Sequence, residues 1–248
     1  YVQGVNDVNM LYAFTLQRQF LLNLQDASHC TDLLLTQAGD AASEPPYIQV
    51  WRTKQNFEHG INWYCFLKLQ LSYLYGHYTD AIAAAKEAEP TLPTNAGFFP
   101  IILYCFYYPL SLTALYPTAT SAEQQAYWET LNHHQRQLKI WAASCPDNFL
   151  HKYLLLSAEM AMIAGQTLEA IALYDRAIAS AKANDYLQEE ALANELAAKF
   201  YLNWGKPRIA QEYMTEAYYG YARWGAKTKV DDLARRYPQL LAALLQQE

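Results

Sequence analysis

The stretch MIAGQTLEAIALYDRA, Met162 to Ala177, decides the fold. A Gly at 165 ends one helical run, and Ala170 and Ala177 then stand five and twelve residues beyond it. The same skeleton recurs in SYLYGHYTDAIAAAKEA, with Gly76, Ala81 and Ala88, and in LNWGKPRIAQEYMTEA, with Gly205, Ala210 and Ala217. Such a pattern predicts a helix hairpin. Gly supplies the left-handed backbone that closes the first helix, and Ala lets the second helix cross it closely. Ala170, Ile171, Tyr174, Ala177, Ile178 and Ala181 form one apolar stripe, while Glu169, Asp175, Arg176 and Lys182 face away.

The skeleton is similar to the tetratricopeptide unit of helix–turn–helix, though the spacing from Gly165 to Gly205 is longer than that unit's usual period of about 34 residues. Between Gly76 and Gly165 a further hairpin is expected to turn at Tyr116–Ser121, with Ser121 and Gln124 as an N-terminal capping pair. The expected fold is all-α: a TPR-like solenoid forming one domain over residues 1–248. Its hairpins are placed at 62–94, 95–144, 147–184 and 186–224. Residues 1–61 read as irregular N-terminal helices and 228–248 as capping helices. Within the first region, Asn6–Asp7 would cap a helix reaching about Gln37, Gly39–Pro46 is a loop, and Gly60 interrupts the helix that follows. Near the end, Asp231 and Asp232 would open one short helix and Pro238 the last. No segment reads as a strand.

Composition agrees. Of 248 residues, 52% are apolar and only 9 are Gly, which fits stacked helices and argues against nucleotide-cradling Gly loops. Tyr stands out at 21 residues, a supply of rings for the wedges between hairpins. A net charge of −6 gives no basic footprint for nucleic acid. Cys30, Cys65, Cys105 and Cys145 contain no Cys-x-x-Cys pair, so they read as buried free thiols in a reducing, cytoplasmic setting. The chain begins at Tyr1 without an apolar leader, as expected of a segment of a longer protein. Phe98–Tyr116 is apolar enough to raise a membrane span, but Pro100, Pro109 and its tyrosines favour a buried helix.

No phosphate loop, nucleophile elbow or zinc-binding His pair occurs. Glu189–Glu190 and Asp231–Asp232 are consecutive, so they point about 100° apart on a helix and cannot flank one bond. They read as solvated faces or helix starts. The segment is expected to be non-catalytic, with no cofactor and no metal.

A binding surface is the better expectation. In hairpin arrays the first helices line a concave face. The candidates there are Trp63, Phe66, Gln70 and Tyr73 in one unit, Lys152, Glu159 and Met162 in the next, and Glu195, Lys199 and Asn203 in the last. Tyr218, Tyr219, Tyr221 and Trp224 read as core.

The tokens ALANELAAKFYL (191–202), YARWGA (221–226) and RYPQLL (236–241) resemble a family of large bacterial signalling proteins, the cyanobacterial-type hybrid kinases. In these a serine/threonine kinase domain and a STAND-like ATPase precede a helical repeat region, and GAF and histidine kinase modules follow. The resemblance is close from about Cys145 to Leu241 and looser from Asn62 to Ala143. It implies a regulatory or sensor segment that binds protein, within the parent or in a partner, with the kinase and ATPase active sites outside this chain. The alternative is a small-molecule sensor with an aromatic-lined pocket. Neither nucleic acid nor membrane is an expected partner.

Overall fold

The computed structural model describes residues 8–26, 45–55, 57–95, 97 and 100–245, and every regular element among them is helical. The chain forms two compact units, Tyr1–Ser111 and Leu112–Glu248. The expected cap at Asn6–Asp7, the continuation toward Gln37, the loop before Pro45, and Cys30 lie outside the described residues.

Unit 1 begins with α1 (Val8–Gln25), the short α2 (Pro46–Val50) and a π-helical turn (Trp51–Gln55). The hairpin α3 (Glu58–Leu74) and α4 (Tyr78–Ala88) follows. At its turn Gly76 adopts φ 81°, and the His77 N–H reaches back to the Ser72 carbonyl at 2.8 Å. Ala81 and Ala88 are fully buried, as a close helix crossing requires. Gly60 was expected to break a helix, yet it sits inside α3; the break falls earlier, between Gln55 and Glu58. Its role is steric. A Cβ at Gly60 would lie 2.4 Å from the Phe57 ring and 2.8 Å from Trp51.

The apolar stretch becomes α5 (Ile101–Leu115), entered after Pro100 and carrying Pro109 inside. Residues 104–113 are all buried, so the uniform apolarity belongs to an interior helix. No helix among the described residues is long and apolar enough to cross a membrane.

Unit 2 contains α6 (Ser121–Ser144), α7 (Pro146–Ile163), α8 (Thr167–Ala183), α9 (Leu187–Asn203), α10 (Pro207–Trp224), α11 (Lys227–Arg236) and α12 (Pro238–Leu245). The cap of α6 is Thr120 with Glu123, one residue before the expected Ser121–Gln124 pair. Thr120 Oγ1 accepts the Glu123 N–H at 3.3 Å, and the Thr120 N–H donates to the Glu123 carboxylate at 2.8 Å. Left-handed residues close α7, α8, α9 and α10 at Gly165, Asp185, Gly205 and Gly225. Each turn has the same pair of backbone bonds, such as Gln166 N–H to Ala161 O at 2.9 Å and Lys206 N–H to Tyr201 O at 2.8 Å.

Ala170, Ala177, Ala210 and Ala217 are all buried at the α7–α8 and α9–α10 crossings. Gly220 makes the tightest approach: a Cβ there would come within 2.8 Å of the Ala191 Cβ. The expected opening of a helix at Asp231–Asp232 is corrected. α11 begins at Lys227 directly after the Gly225 turn, and both aspartates lie within it.

Candidate functional site: the charged interior and outer groove of unit 2

Helix α9 is unusual in being covered on all sides. Every residue from Glu189 to Ala198 is buried, because small Ala side chains on several faces admit neighbouring helices. Three glutamates lie in that buried run, and burying a carboxylate is expensive unless it is paired. Each has a partner.

Glu195 is gripped from two helices. Lys199, one turn on, lies 2.6 Å from Oε1, and Lys229 of α11 lies 3.0 Å from Oε2. The Tyr221 hydroxyl of α10 donates to Oε2 at 2.8 Å. Burial alone would raise the Glu195 pKa, but the two ammonium groups outweigh it and hold the carboxyl at about 2. Lys229 is wholly buried, and burial pulls its pKa down against the pull of Glu195. Glu159 of α7 sits differently. The Tyr174 hydroxyl donates to Oε1, and Thr113 Oγ1 lies 3.4 Å from Oε2. Burial raises its pKa beyond what Tyr174 and the more distant Lys199 take back.

A second cluster joins the start of α9 to α7. Lys152 Nζ lies 2.9 Å from Glu189 Oε1, 2.8 Å from His151 Nε2 and 4.5 Å from the Tyr186 ring centre. Burial and the adjacent Lys152 push His151 down to about 3, so it is neutral at physiological pH. Glu190 faces Arg223 of α10 at 3.8 Å. The reading of Glu189–Glu190 as a solvated face is thus corrected. They do open a helix, where its dipole favours acid, but both are buried. Asp232 is likewise buried, held by Arg235 at 2.6 Å and Arg236 at 3.3 Å.

These placements bear on the candidate groove residues. Phe66, Gln70 and Tyr73 in unit 1, and Lys152, Glu159 and Glu195 in unit 2, are buried. Gln70 donates to the Tyr107 hydroxyl at 3.2 Å, and Tyr73 packs on Tyr107 and Tyr78. Trp63, Met162 and Lys199 are partly accessible, and Asn203 is exposed. In unit 2 the structure brings Lys152, Glu159, Glu195 and Lys199 into the interior networks, while Met162 and Asn203 stand apart from them. Tyr218 and Tyr221 are core as expected, Trp224 is partly covered, and Tyr219 is 47% exposed. Cys65 and Cys105 are buried free thiols, and Cys145 is partly accessible.

An open groove of about 1100 Å³ runs instead along the second helix of the hairpin, α10. Arg208, Ile209, Glu212 and Glu216 line it, with Asn194 of α9 also on its wall. At its end Tyr213 stacks on Tyr201 at 5.3 Å and donates to Asp175 at 2.6 Å, fixing α10 against α8. Nearby, Trp204 is 44% exposed and Lys206 lies 5.4 Å from its ring centre. This groove lies mainly on a second helix, away from the first helices whose residues were the expected lining. The signal available in the sequence was apolar Ile209 amid charged Arg208 and Glu212; its exposure is seen only in the fold. Among the described residues no group of His, Cys, Asp and Glu is arranged to hold a metal ion.

The fold and these crossings define a TPR-like helical-repeat protein. The chain matches the family described as CHK1-like, TPR repeats over residues 65–215, and it belongs to that family. It is also similar to hybrid signal transduction histidine kinase G of Dictyostelium discoideum, at 41% identity over 56 residues. That match covers 23% of this chain and 2% of the kinase, so the chain spans a small fraction of that relative's length. No solved structure matches.

Proposed function

We propose that this chain is a non-catalytic interaction and regulatory domain of a multidomain signalling kinase, and that it binds an extended protein segment along α10. The α10 groove carries the reading. At about 1100 Å³ and open to solvent, it suits a chain segment better than an enclosed small molecule. Exposed Ile209 offers an apolar anchor between Arg208 and Glu212, charges of both signs that would fix register more than affinity. The kinase setting rests on the family, on the histidine kinase relative and on the resemblance of about Cys145 to Leu241 to hybrid kinase repeat regions. In such a parent, the serine/threonine kinase and STAND-like ATPase modules are the cis partners, in a cytoplasmic protein.

Titration calorimetry of this chain against the separately produced modules of its parent tests the reading. One module should bind, and Ile209→Asp or Arg208→Glu should weaken it at least tenfold without changing the melting curve. Absence of binding to every module, or binding indifferent to both substitutions, would overturn it.

A further inference from the structure

Unit 1 contains a cavity of about 150 Å³. Ala13 and Leu16 of α1, Trp51 of the π-helical turn, and Phe57, Gly60 and Trp63 around the start of α3 form its walls. Size is the first limit on what it can hold. Sites for drug-sized ligands enclose roughly 300–1,000 Å³. An engineered apolar cavity of about 150 Å³ stays dry and takes benzene.

The lining is the second limit. No Lys, Arg, Asp or Glu stands among the described lining residues, and His59 is the one titratable side chain among them. Asn9 Oδ1, at the edge, already accepts the Trp51 indole N–H at 3.0 Å. A charged group entering here would lose its hydration without gaining a permanently charged partner.

Ring geometry is the third. Trp51 meets Phe57 edge-on at 5.4 Å and 65°, and Tyr47 at 5.5 Å and 69°. Another flat ring in the cavity would join that edge-to-face set, an arrangement aromatic quadrupoles favour. Gly60 keeps the rings where they are, since a Cβ there would displace both Phe57 and Trp51. Trp51, which lines the cavity, opens a π-helical turn, a rare element that frequently marks functional sites.

We propose that this cavity is a binding site for one uncharged aromatic ring, between benzene and indole in size, clasped by Trp51, Phe57 and Trp63. This goes beyond the protein-binding role and stands or falls separately from it, since it lies in unit 1 and the α10 groove in unit 2. Occupation would tie α1, the π turn and α3 together.

Calorimetry on the full chain, with indole as the probe and benzoate as its charged counterpart, tests the site. Indole should bind, and benzoate should bind at least tenfold more weakly. Ala13→Leu, which fills the cavity, should weaken indole at least tenfold while the helical circular dichroism is retained. Should Ala13→Leu fail to fold, the smaller Ala13→Val decides, with a loss of threefold or more expected. No indole binding up to its solubility limit, benzoate bound as tightly, or indole affinity unmoved by the filling variant would each overturn the proposal.

Discussion

The two units bury different kinds of polar groups. In unit 1 the described buried polar residues are Asn23, Asn62, Gln70, Ser72 and Ser111, all neutral. Unit 2 buries neutral groups as well, such as Thr113, Ser157 and Asn194, but adds Lys152, Glu159, Glu189, Glu190, Glu195, Lys229 and Asp232. Unit 1 is cemented by rings, such as Tyr12 stacked on Tyr47 at 5.0 Å and Trp51 edge-on to Phe57. Unit 2 closes its hairpins with Ala and Gly and then fixes their order with ion pairs, which are intolerant of a missing partner. The lesson is that one repeat chemistry can be locked by shape in one place and by charge in another.

The largest expected effect breaks the charged lock. Glu195→Ala leaves Lys229 buried without its carboxylate and should cost about 3–5 kcal/mol in urea unfolding. In unit 1, Gln70→Leu removes a neutral bond to Tyr107 and should cost about 1 kcal/mol. Equal losses would erase the contrast.

Acid should separate the units next. His134 and His151 have folded pKa values near 4 and 3, both lowered first by burial. The unfolded chain takes up these protons near pH 6.5 while the folded chain does not. Their contribution is therefore complete above about pH 6.5 and is lost as pH falls toward 4 and then 3. Glu195, held at about 2, adds a loss that begins below about pH 4.5. Hydrogen exchange on the full chain at pH 7 and pH 5 should show protection falling over residues 121–245 more than over 57–95. An equal fall would contradict the assignment.

Gly220→Ala comes third. It forces α9 and α10 apart at Ala191 and should cost about 1–3 kcal/mol. The same exchange at an exposed helical site would be favourable by about 1 kcal/mol, so the sign alone is informative. An effect as small as that of Gln70→Leu is expected at the α6 cap, where Thr120→Ala should cost about 1 kcal/mol.

Much of the fold was legible because it rests on Gly and Ala at fixed spacing. Gly76, Gly165 and Gly205 adopt the left-handed turns expected of them, and the paired alanines are buried. The junction between the hairpins placed at 147–184 and 186–224 is closed by a non-Gly residue, Asp185, at φ 59°, so no Gly marks it in the sequence. With it, the closures at 165, 185, 205 and 225 fall at twenty-residue intervals, which explains the forty-residue hairpin. The charged interior was hidden for a plainer reason. Glu195 and Lys229 are 34 residues apart in sequence, and nothing local marks a charge whose partner lies on another helix. Glu189 and Glu190 looked solvated because charge ordinarily faces water. The α10 groove was missed because all of its lining but Asn194 belongs to a second helix.

The claim that buried charge locks unit 2 is tested most directly by a double-mutant cycle on Glu195 and Lys229, read by urea unfolding. Glu195→Leu and Lys229→Met should each be strongly destabilising, while the double variant should recover much of the loss, with a coupling of about 2 kcal/mol or more. Single losses that add to the double within about 0.5 kcal/mol would contradict it.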